Sequence, residues 1–222
     1  MRTTRWIAVM SALTMLWTAS WVRDAASAEP QNGQRAGVTA PAKAAAGQGR
    51  MNTEEAARNY FTDAELVTQD GRRVRFFSDV LKGHVVVISF VHTQCKNACP
   101  LITQKLTLVR DLLEGYVGQP VQFVSISLNP AQDTPAAMKA FAKRHEADHE
   151  GWVFLTGPVE HVNQIIKKLG QYSENLDDHT TVILAGNVDR AHWTKIPPNV
   201  MPDGIAAKVR ELMADGAPVS KG

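Results

Sequence analysis

Cysteine is nearly missing from this 222-residue chain: it has two, Cys95 and Cys99. A single pair four positions apart cannot staple a fold, because so short a loop removes little denatured-chain entropy. An ordinary packed core has to do that work, and the 44% apolar fraction suffices for one domain or at most two. A charge excess is missing as well. Setting aside residues 1–28, with their three arginines and one aspartate, leaves 21 basic and 21 acidic side chains. No basic surplus therefore points to nucleic acid or an anionic membrane as a partner. Internal repeats are absent too.

Large apolar residues are scarce between Glu29 and about Arg50, where Val38 alone interrupts Ala, Gly, Gln and Pro. Such a segment cannot bury enough surface to fold and reads as a flexible linker. Ahead of it, Arg2 and Arg5 precede a mostly apolar stretch from Trp6 to Val22, and Ala26-Ser27-Ala28 forms an A-x-A cleavage signal before Glu29. The expected organisation is a secretory signal peptide over 1–28, a linker over 29–55 and a folded domain over 56–222. The competing reading of the first segment is an uncleaved inner-membrane anchor, since its 17 apolar-rich residues are near the lower limit for a span and Ser11, Thr14, Thr18 and Ser20 dilute them. Only in that case is the membrane a partner. Either way the domain is expected to be exported, to the periplasm, where disulfides persist unless a dedicated reductant acts.

What is present in the folded part is an alternation of strand and helix signals. Asp70-Gly71 between two short mixed runs predicts a hairpin. Val85 to Phe90 is a nearly continuous apolar run, the pattern of a central strand covered on both faces. Leu101, Leu106, Leu108, Val109, Leu112 and Leu113 recur at helical spacing until Gly115. A buried strand follows over 121–128, then a helix capped by Thr134 with Pro135 in its first position. A strand at 152–155, a helix over 158–169 stopped by Gly170, a hairpin of 180–185 with 192–196 around Gly186-Asn187, and a helix over 203–213 complete the pattern. The fold class predicted is α/β, a mixed sheet flanked by helices on both faces, with the N-terminal hairpin as an extension.

The cysteines sit just past the central strand, in Phe90-Val91-His92-Thr93-Gln94-Cys95-Lys96-Asn97-Ala98-Cys99-Pro100. If Pro100 opens a helix, both sulfurs lie at the strand-to-helix turn, facing the positive helix N-terminus, where a thiolate is favoured. A pair so placed can close a disulfide or hold a soft metal. The arrangement is thioredoxin-like, but the spacing is C-x-x-x-C where the redox motif is C-x-x-C. The wider turn leaves the two sulfurs able to act as separate ligands on one ion.

Here the chain resembles the SCO/SenC copper-binding proteins, over about Phe61 to Met213. The resemblance rests on Thr93-x-Cys95-x-x-x-Cys99-Pro100, on the run from Ser125 to Pro135, on Leu155-Thr156-Gly157, and on Asp178-His179-Thr180. It implies a thioredoxin-like fold in which Cys95, Cys99 and His179 bind one copper ion, with His179 facing the cysteines and Asp178 able to orient its ring. Two thiolates suit Cu(I), and an added imidazole lets the set accept Cu(II). The implied function is a copper chaperone, a metallochaperone and not an enzyme, that delivers to a partner such as the copper A site of cytochrome c oxidase. The alternative is a thiol-disulfide reductase in which Cys95 attacks a client disulfide and Cys99 resolves it, recharged by a thioredoxin-like reductant. His92, where the family usually has an aromatic, is an alternate ligand candidate. Lys96 and Asn97 replace the Pro and Asp common in the family's loop, Asn129 stands where an Asp is common, and Lys96 would favour thiolate at Cys95. The histidines at 84, 145, 149, 161 and 192 lie on polar stretches and are expected to be solvated.

Overall fold

The computed structural model describes residues 54–175 and 181–215. All of them belong to one compact unit, Pro41–Gly222; a second unit, Met1–Ala40, lies outside the described residues, and with it the expected signal segment and the start of the linker.

Helix α1 spans residues 54–61, across the expected boundary between linker and domain. Strands β1 (Glu65–Thr68) and β2 (Arg73–Arg75) form the expected antiparallel hairpin. Gly71 takes φ +79° in its turn, a left-handed conformation that L side chains resist. A π-helical segment, Phe76–Leu81, then drives Phe76, Phe77, Val80 and Leu81 into the core. The alternation continues with β3 (Val85–Val91), α2 (Ala98–Leu112), β4 (Val121–Ser127), α3 (Pro135–Arg144), β5 (Trp152–Thr156) and α4 (Val159–Lys168). It closes with β6 (Ile183–Asn187), β7 (His192–Ile196) and α5 (Pro202–Ala214).

Among the described residues the seven strands form one mixed sheet in the order β2-β1-β5-β4-β3-β6-β7. Strand β3 runs parallel to β4 along its whole length, from Val85↔Val121 to Val91↔Ser127. Its antiparallel register with β6 covers only Val85↔Asn187 to Ile88↔Leu184. Among the described residues, the C-terminal half of β3 is thus paired with β4 alone, and this is the end that leads to the cysteines.

All seven β3 residues are buried, as a strand covered on both faces requires. Helices α2, α3 and α5 pack on one face through Ile102, Leu106, Val109, Met138, Phe141, Ile205, Val209 and Leu212. On the other lie Phe61 of α1, the π-helical segment, and Val162, Ile165 and Ile166 of α4. Each fully buried large aliphatic or aromatic side chain contributes about 1.5–3 kcal/mol relative to exposure. The serines that interrupt the apolar strands are satisfied internally: the Ser89 and Ser125 hydroxyls lie 2.9 Å apart, and Trp152 Nε1 donates to Ser125 Oγ at 2.9 Å.

Three expectations are corrected. Gly186 and Asn187 belong to β6 and not to the turn, which falls in the residues between β6 and β7. Gly186 is there because Trp193 lies across it: a Cβ would come within 2.3 Å of the indole. Of the leucines of α2, Leu106 is fully buried, as is Leu113 just past the helix end, whereas Leu101 and Leu108 are 65% and 56% exposed. Positions 102, 106, 109 and 113 already fill the face toward the sheet, and Leu101, Leu108 and Leu112 lie about 100° around the helix from it. The scattered histidines are not all simply solvated. His161 Nδ1 pairs with the Glu65 carbonyl at 2.8 Å, His192 with Asp215, and His145 packs at a tilt against Phe141 with its pKa lowered by burial.

Candidate metal centre

The cysteine loop is fixed by its two flanking elements. At the end of β3 the Leu128 amide donates to the Val91 carbonyl (2.8 Å), and the Cys95 amide donates to the His92 carbonyl (3.1 Å), turning the chain back toward the helix. Helix α2 begins at Ala98, with Asn97 as its N-terminal boundary and Pro100 third in the helix. This is two residues earlier than a helix opened by Pro100, and proline is tolerated there because first-turn amides have no intrahelical partner. The Asn97 side chain makes no capping bond. Cys95 does that work: its sulfur accepts the Cys99 amide at 3.4 Å and stands where a helix N-cap side chain normally would.

The two sulfurs therefore sit in different surroundings. Burial raises the Cys95 pKa, but the amides of Cys99, Asn97 and Ala98 together with the Cys99 thiol outweigh it, and the net shift is downward. For Cys99, 1% exposed, burial dominates and pushes the pKa up to about 12, the Cys95 sulfur and the Asp133 carboxylate adding to it and the His92 amide opposing. Both cysteines are thiols.

Asp133 is the site residue that sequence reasoning passed over. Its carboxylate, 1% exposed, accepts the Thr93 amide (2.9 Å), the Thr93 hydroxyl (2.7 Å) and the Ser127 hydroxyl (2.6 Å). It ties the start of the cysteine loop to the end of β4. The only signal was its position immediately before the Thr134-Pro135 helix start; that it turns back toward Thr93 is a tertiary fact. Thr134 itself caps α3 as expected, accepting the Ala137 amide at 3.2 Å.

Of the predicted ligands, the structure brings Cys95 and Cys99 together. His179, with Asp178, lies outside the described residues. The chain that follows it borders the site: Thr181 and Val182 line a small niche with Phe90, Cys99 and Ile102. A third ligand type is present at once in His92, whose ring nitrogen and the sulfurs of Cys95 and Cys99 all lie within 4.8 Å of one another. Soft ions with bonds of about 2.0–2.3 Å span donors at such separations with small adjustments. Chemically, the site can bind a soft cation or exchange disulfides.

A seven-stranded mixed sheet carrying a dithiol at the turn between its central strand and a helix defines a thioredoxin-like domain with a C-x-x-x-C centre. The SCO1/SenC family model matches residues 52–214, and the chain belongs to that family. It is 35% identical over 89 residues to a Bacillus subtilis protein named as an SCO1 homolog, a match covering 40% of this chain and 45% of that one. A SCO2-like protein of Rickettsia conorii is 32% identical over 128 residues, 58% of each chain. The chain thus spans about half the length of these curated relatives. The crystal structure of Arabidopsis thaliana ScoI with copper bound superposes with a TM-score of 0.58 at 24% identity, over 68% of this chain and 96% of that one. Among the described residues no helix is long and apolar enough to cross a membrane.

Proposed function

We propose that the domain is an exported copper chaperone that holds one copper ion through Cys95, Cys99 and His179 and passes it to a copper-receiving protein, the copper A subunit of a cytochrome c oxidase. The observation that carries this reading is the convergence at Cys99: a second thiol on one side and Thr181 on the other, two residues after His179 in the chain. The proposed third ligand is thus a near neighbour in sequence of residues that border Cys99. Two thiolates and an imidazole form a soft set suited to Cu(I) that also accepts Cu(II). Transfer between such sites needs only sequential ligand exchange. Export fits the signal-like residues 1–28, whether cleaved or kept as an inner-membrane anchor.

A thiol-disulfide role is favoured by one specific observation, the split between the lowered Cys95 and the raised Cys99. The Cys95 thiolate attacks a client disulfide and releases one client thiolate. Cys99 then gives up its proton and displaces the second, leaving a Cys95–Cys99 disulfide and a reduced client dithiol. A thioredoxin-like donor returns the two electrons. The roles are compatible, since copper ligands must be reduced before they are loaded.

The test is Cu(II) binding followed by electron paramagnetic resonance in wild type and His179→Ala. The chaperone reading expects the wild-type Cu(II) signal to be altered or lost in the variant, as the His179 nitrogen leaves the copper, while disulfide reduction is largely retained. An unchanged Cu(II) signal in His179→Ala would sink the assignment of His179.

A further inference from the structure

We infer that His92 is a third copper ligand in its own right, completing with Cys95 and Cys99 a His–Cys₂ set that holds Cu(I) without His179. The inference rests on the copper reading above and adds a second ligand set to it.

Three observations carry it. The ring nitrogen of His92 and both sulfurs already lie within 4.8 Å of one another. The backbone of His92 is tied to the cysteine loop, its carbonyl accepting the Cys95 amide at 3.1 Å. This holds the His92 backbone beside the cysteine loop at the end of β3. Finally, the Thr93–Asp133–Ser127 hydrogen bonds hold the adjoining turn to β4, so no loop has to move for three donors to meet.

The chemistry follows from that rigidity. Cu(I) is matched by two thiolates and one imidazole, and on binding both thiols release their protons to solvent with no change in oxidation state. His92 then keeps a three-donor site on elements that flank the loop, independent of His179. A chaperone with such a site can accept or release copper through one imidazole without dropping it to two ligands. His92 and His179 would in this way be alternative third donors to the same sulfur pair.

The experiment uses the reduced chain with Cu(I) supplied anaerobically against a competing Cu(I) chelator, in wild type, His179→Ala, and His179→Ala combined with His92→Phe or His92→Asn. X-ray absorption of the loaded His179→Ala protein is expected to show two sulfurs and the multiple scattering of one imidazole. Adding either His92 substitution should remove that imidazole signature and weaken Cu(I) binding by at least about tenfold, that is about 1.4 kcal/mol. The His179→Ala spectrum alone decides the matter even if a His92 variant folds poorly: sulfur-only coordination there overturns the role of His92. Equal affinity and an unchanged imidazole signature in a folded double variant overturn it as well. If wild type takes up no Cu(I), the copper reading falls together with this one, whereas normal wild-type uptake without an imidazole in His179→Ala removes His92 alone.

Discussion

Cys95 and Cys99 are the same side chain in opposite circumstances. One sulfur receives amide hydrogen bonds at the start of α2, and the other is packed among Val91, Ile102 and Leu106 on the sheet. Since the thiolate is the reactive form, Cys95 is expected to be alkylated first, its rate rising with pH and levelling off below the ordinary thiol value of 9.0. Cys99, at about 12, should stay unlabelled through neutral pH in the folded protein. Peptide mass spectrometry after brief iodoacetamide treatment reads both, and equal labelling of the two would contradict the asymmetry. Asp133 supports the same loop from outside the ligand set. Asp133→Ala leaves Thr93 and Ser127 with buried donors unpaired, and is expected to lower stability by about 2–3 kcal/mol. A urea midpoint equal to wild type would show that the clamp matters little. The cysteines and their placement after a buried strand were legible in the sequence, because a seven-residue apolar run followed by a cysteine near a proline has few structural meanings. Asp133 was not, since only the tertiary return of the chain after β4 brings it to Thr93.

At the scale of elements, local signals served where the local chain decides the outcome. Asp70-Gly71 gave a turn because Gly71 needs a positive φ, and Thr134-Pro135 gave a helix start because cap and proline act within one turn. They failed where a distant residue decides. Gly186-Asn187 looks like a turn, yet Gly186 is a strand residue left bare so that Trp193, itself packed at a tilt against Phe61 with ring centres 4.8 Å apart, can cover it. Gly186→Ala is therefore expected to destabilise the β6–β7 hairpin by about 1–3 kcal/mol through overpacking. Thermal unfolding followed by tryptophan fluorescence would read this as a lower midpoint, and no shift would mean that the indole relocates freely. The α2 leucines teach the same lesson: helical periodicity located the helix, but only packing against β3 and α5 selects 102, 106, 109 and 113 as the buried stripe.

For the whole molecule, the sheet order matters more than any single motif. Placing β3 between β4 and β6, with β6 pairing only the first half of β3 among the described residues, leaves the cysteine end of the strand open on the side where the chain returns at Thr181. Thr181 thereby borders the same niche as Cys99, a closeness between distant residues that no local spacing encodes. The central claim is that the two thiols are the core of a copper site. The most direct measurement is equilibrium dialysis of the reduced protein against Cu(I), comparing wild type with the Cys95→Ser/Cys99→Ser double variant, with metal counted by atomic absorption. The account predicts about one copper per wild-type chain, as one soft-donor site implies, and none retained by the double variant. Copper held at full stoichiometry without the two sulfurs would contradict it.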